Sequence, residues 1–122
     1  MYTTLNDAST LHAELAPGST EVWYSKGDSF REMSGGPKYL AKVNKLPTAD
    51  ALSETHSKIG SINTVDLDEV FFLMQGEIWS PNGEARNVIG DSEARHTSMS
   101  VGDIIKLNGV IHMVANDGFV VL

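Results

Sequence analysis

Apolar positions recur at three- and four-residue spacing from Leu5 to Leu15 (Leu5, Ala8, Leu11, His12, Leu15), which predicts a short amphipathic helix ended by Pro17-Gly18. Glu21 to Ser25 is aromatic and β-branched between turn formers, a first strand with Trp23 and Tyr24 on opposite faces. From Lys26 to Thr55 the period breaks. Ser34-Gly35-Gly36-Pro37 reads as a turn, and Lys38, Lys42 and Lys45 punctuate what reads as a solvated, loop-rich stretch. Lys58 to Thr64 alternates imperfectly through Ile59 and Ile62, consistent with a strand that has one solvated face. Asp66 then offers an N-cap carboxylate with Glu69 three residues on, and Leu67, Val70, Phe71 and Met74 share a face, so a helix is expected from about Leu67 to Gln75 with Gly76 as its stop.

Trp79 to Gly83 reads as a turn, with Pro81 at the start of a short helix through Glu84, Ala85, Val88 and Ile89, and a polar connection from Gly90 to Thr97. Met99 to Leu107 begins the closing strand. Asn108-Gly109 tolerates the positive φ angles of a type I′ turn, so the chain should reverse there into Val110 to Ala115. Asn116-Asp117-Gly118 turns it again into Phe119 to Leu122. The expected class is α+β: a small antiparallel sheet, one to three short helices and a C-terminal β-hairpin. The expected organisation is one domain over 1–122, with a helical segment at 1–20, a loop-rich part at 26–55 and a core at 58–122.

The absence of cysteine excludes disulfides, thiolate metal sites and a cysteine nucleophile, and favours an intracellular origin. No apolar run approaches the ~20 residues of a membrane span, and the first fifteen residues lack the basic start and apolar centre of a signal peptide, so a cytoplasmic location is expected. Sixteen acidic against nine basic residues give a net charge of −7, which opposes nucleic-acid binding. The lysines at 38, 42 and 45 lack the Gly-x-x-x-x-Gly-Lys spacing that would aim backbone amides at a phosphate.

Gly102-Asp103, Gly109, His112 and Asn116 resemble the second cupin motif, and Asp68 to Ile78 resembles the strand that lies between the two cupin motifs. That resemblance implies a barrel strand at Val70 to Met74 and a metal held by histidines and a glutamate. Thr64, Val65 and Asp66 stand where the paired histidines would be, and Asn108 stands where the family has proline, so His112, with Glu77, is what remains of the set. One imidazole cannot hold a metal without partners, and on an apolar strand His112 reads as a core or interface histidine. His12, His56 and His96 fall in different elements. Ser98 and Ser100 lack the Gly-x-Ser-x-Gly elbow, so no catalytic set is expected.

Trp79-Ser80-Pro81-Asn82-Gly83-Glu84-Ala85-Arg86 places an aromatic, a rigid turn and a planar cation together, the composition that concentrates binding energy at protein interfaces. Alternatively, Trp79 plugs the core edge and Arg86 pairs with Glu84 or Glu93. The order of the segments Leu67 to Arg86, His96-Thr97-Ser98-Met99-Ser100-Val101-Gly102-Asp103 and Gly118-Phe119 resembles small phage- and plasmid-encoded accessory proteins whose C-terminal halves are similar to the YodL-like domain. The likeness covers roughly Ile59 to Leu122. It implies a helix rather than a strand at Leu67 to Gln75, no cofactor and no agreed active site. The expectation is a non-enzymatic phage or mobile-element protein that binds a host or viral protein through Trp79, Asn82, Arg86 and His96, with a homo-oligomer left open.

Overall fold

The computed structural model describes residues 20–62 and 64–122; the helix expected at Leu5 to Leu15 lies outside them. β1 (Thr20–Ser25) is flanked by β2 (His56–Ile62) and β3 (Ile104–Leu107), and β4 (Val110–Ala115) and β5 (Gly118–Val121) complete a five-stranded sheet of order β2-β1-β3-β4-β5. Every neighbouring pair is antiparallel. The class is α+β, as expected.

Alternation along the strands feeds two cores, one on each face. Val22, Tyr24, Ile105 and Val114 face a larger core completed by α4 (Leu67–Leu73), α5 (Gly76–Trp79) and α6 (Arg86–Asp91). Trp23, Ile104, Ile111 and Met113 face a smaller one with Met33, Leu40 and Leu52, which come from α1 (Phe30–Met33), α2 (Gly36–Lys42) and α3 (Leu52–Thr55). Trp23 and Tyr24 thus lie on opposite faces.

The described residues hold six short helices where one to three were expected, and three of them correct the loop-rich reading of 26–55. Single turns such as α1 and α3 carry too few residues to show a period. α2 did leave punctuation: Pro37 sits in its first turn, and Asn44 adopts φ 59 beyond its end. Lys45 N then donates to Leu40 O and Asn44 N to Ala41 O, the paired bonds of a Schellman stop. Lys38, Lys42 and Lys45 are exposed, and Lys45 pairs with Glu32 at 2.9 Å.

The imperfect alternation of Ile59 and Ile62 has a precise cause. Val22 pairs with Gly60 and Trp23 with Lys58, so Ile59 is an extra residue in β2. This bulge shifts the side-chain parity by one and puts both isoleucines, three apart, into the larger core. The expected solvated face is absent, because Gly60 and Ser61 are buried as well.

α4 forms where the capping pattern placed it. Asp66 accepts from Asp68 N and Glu69 N, while Glu69 reaches back through Thr64, whose hydroxyl donates to Oε1 at 2.6 Å. The strand that a cupin-like barrel requires at Val70 to Met74 is a helix. Gly76 does not stop the chain in the expected way: it opens α5, whose Ile78 and Trp79 amides donate back to Gln75 O. Likewise α6 begins at Arg86, beyond Pro81.

At the C-terminal end, Asn108 (φ 51) and Gly109 (φ 82) make the type I′ reversal between β3 and β4. Met99 to Asp103, expected as strand, is a turn held by Asp103. Gly102 is indispensable there: its φ is +95, and a Cβ would lie 2.3 Å from the Met33 carbonyl oxygen.

Candidate functional site

Asp103 is the fully buried acid at the start of β3. Its Oδ1 accepts from Ser25 N (2.8 Å), and its Oδ2 accepts from Ser100 N (2.9 Å) and faces His96 Nε2 (2.8 Å). A carboxylate so placed has its lone pairs occupied by backbone donors of two distant segments and one imidazole. The His96 ring stacks on Tyr24 at 4.7 Å and 13°, with Phe30 tilted against it at 4.7 Å, so two aromatic rings hold its orientation.

Around this pair the remaining residues of the His96 to Asp103 motif hold the chain. Thr97 O accepts from both Tyr24 Oη (2.7 Å) and Trp79 Nε1 (2.9 Å). Ser98 Oγ accepts from Gly76 N (2.8 Å), and Met99 N donates to Met74 O. Burial, with Asp103 nearby adding to it, raises the Tyr24 phenol well above its ordinary range, so its hydroxyl stays a donor. The motif stitches the loop before β3 to the junction of α4 and α5.

His56, buried at the start of β2, faces the same turn from the other side. Its Nε2 lies 2.8 Å from Gly102 O, an acceptor only, so Nε2 carries the proton and Nδ1 accepts from the Thr55 hydroxyl at 2.7 Å. Burial lowers the His56 pKa, outweighing the raising effects of Gly102 O and Asp103. In the unfolded chain the imidazole titrates near 6.5. The folded state therefore binds fewer protons, and His56 contributes stability that is complete above that value and is lost as the pH falls through and below it. Thermal midpoints are expected to drop between about pH 7.5 and about pH 5, and His56→Gln, which keeps a donor for Gly102 O, should flatten part of that decline. An identical pH slope in wild type and variant would contradict the assignment.

The sequence-predicted surface separates into two kinds of residue. Trp79 is fully buried in the larger core, so it offers no contact area; the alternative, that it plugs the core, holds. Asn82 and Arg86 are exposed. Arg86 forms no ion pair among the described residues: Glu84 accepts from Asn82 N, and Glu93 pairs with Lys26 at 3.3 Å. His96 is half-buried and committed to Asp103. His112 lies opposite Ile105 and Val121 within the sheet. Among the described residues no three His, Asp or Glu side chains converge as a metal-binding group.

Compared with protein-family models, with curated proteins and with solved structures, the chain matches none. Its chemistry is therefore read from its own geometry. A histidine oriented by a buried carboxylate is half of an acid–base pair, but no hydroxyl among the described residues is hydrogen-bonded to it. Ser98 Oγ is taken by Gly76 N, Ser100 Oγ donates to Ser98 O, and the buried Ser25 hydroxyl has no partner among the described residues. Sequence reasoning names His96 as a contact residue and misses Asp103, Tyr24 and His56. The Gly102-Asp103 pair before the closing strand is a signal for Asp103 alone. No helix among the described residues is long and apolar enough to cross a membrane.

Proposed function

We propose that this chain is a non-enzymatic accessory protein of a phage or mobile element, acting by binding a host or viral protein through the exposed turn from Ser80 to Arg86. One observation supports the binding reading: the turn is held from within while its arginine forms no ion pair among the described residues. Ala85 N donates to Ser80 Oγ (2.9 Å), Asn82 N to Glu84 Oε1 (2.9 Å) and Arg86 N to Gly83 O (3.0 Å). A preorganised turn loses little conformational entropy on association, and a planar cation with five donors is well suited to anchoring a partner. The commitment of His96, Ser98 and Ser100 to fold-holding bonds supports binding over catalysis.

Asn82→Ala and Arg86→Ala should leave stability within about 0.5 kcal/mol, because both side chains are exposed. In pull-downs from a bacterial host lysate, with and without infection, the double variant is expected to lose a partner that the wild type retains. Retention of every specific partner at wild-type yield would remove this surface.

A further inference from the structure

The two edges of the sheet are built differently. The β2 edge is blunted: it carries the Ile59 bulge, Lys58 paired to Glu21, and a flank where Glu93 N approaches Ser57 Oγ. Among the described residues β5 has no such protection. Gly118-Phe119-Val120-Val121 bears no charge, bulge or proline, and Val120 and Val121 are exposed at 41% and 62%. Beside it lies an apolar groove lined by Pro37, Ala41, Leu46 and Val120, with one cation, Lys38, and one anion, Asp117.

We infer that this edge pairs, antiparallel, with β5 of a second copy of the chain, joining two sheets across a two-fold axis. Local neutrality admits that occupant, and a self-complementary register meets the requirement of a two-fold axis. Each chain carries −7, so a contact between two copies must avoid facing like charges, and this edge is uncharged with one residue of each sign beside it.

The hydrogen-bond parity fixes the register. Leu122 N donates to Ile111 O, so Gly118, Val120 and Leu122 turn their backbone groups toward β4, and those of Phe119 and Val121 point outward. Setting Phe119 opposite the second copy's Val121, and the reverse, satisfies all of these outward groups. Val120 then faces its own symmetry mate as a non-hydrogen-bonded pair, with Cα atoms about 4.5 Å apart. Leu122 falls opposite Gly118, where a Cβ would meet nothing within 4 Å, so the space for the larger side chain is present.

The test exploits a chain without cysteine. Val120→Cys should form a disulfide-linked dimer on mild oxidation, because its Cα spacing across the axis lies within the range of a disulfide. Wild type should sediment at twice the 13.2 kDa of one chain. Val121→Lys and Val121→Pro should return it to one chain with an unchanged circular dichroism spectrum, since the Val121 amide is not used by β4. A wild type that remains at the mass of one chain up to sub-millimolar concentration overturns the inference. So does a dimer that Val121→Lys leaves intact, or one that Val120→Cys fails to link.

Discussion

Asp103→Ala is expected to destabilise the fold by about 3–5 kcal/mol, the range found when one member of a buried, hydrogen-bonded pair is deleted. The carboxylate is fully buried, and its removal strands Ser25 N, Ser100 N and His96 Nε2 together. An orphaned buried donor costs roughly 1–3 kcal/mol, and of the three donors Ser25 is fully buried while His96 and Ser100 are partly buried. Asp103→Asn should fall nearer to alanine than to wild type, because its amide group turns a second donor toward donors. Urea denaturation of both variants measures this. A loss below about 1 kcal/mol for alanine would mean that the turn is held by other contacts.

Trp79→Ala should cost a comparable amount, about 3–5 kcal/mol, as for large aromatic truncations in well-packed cores. The indole is fully buried among the residues of the larger core, and its Nε1 supplies one of two hydrogen bonds to Thr97 O. Trp79→Phe keeps most of the packing and loses that donor, so it should be intermediate. The comparison with Arg86→Ala is decisive for the turn that both residues flank. If the surface begins beyond Trp79, the tryptophan variant changes stability and the arginine variant changes partner binding. If Trp79→Ala instead unfolds no more readily than wild type, the indole is not part of the core.

The strands and the hairpin were legible because their signals are local. Asn108-Gly109 predicts positive φ angles, and Asp66 with Glu69 predicts a helix start, both matched by the structure. Trp79 was not legible in the same way. Whether it faces solvent depends on how sharply the chain bends at Gln75 and Gly76 from α4 into α5, and no periodicity records an angle between helices. Ile59 and Ile62 looked irregular because a bulge changes parity without changing residue type. Within the candidate site, His96 and Asp103 are only 7 positions apart, yet Ser25 lies 78 positions before Asp103. Such a cluster exists only once β1 lies beside β3.

That separation bears on the order in which the chain assembles during synthesis. β3, β4 and β5 are joined by two tight reversals and can pair with little loss of chain entropy as soon as they are made. β1, by contrast, is an interior strand whose β3 side stays unpaired until the last third of the chain emerges. The bond from Ser25 N to Asp103 then closes across 78 positions as β1 takes its place beside β3, so the buried carboxylate acts as a clasp between the first described strand and the hairpin made last.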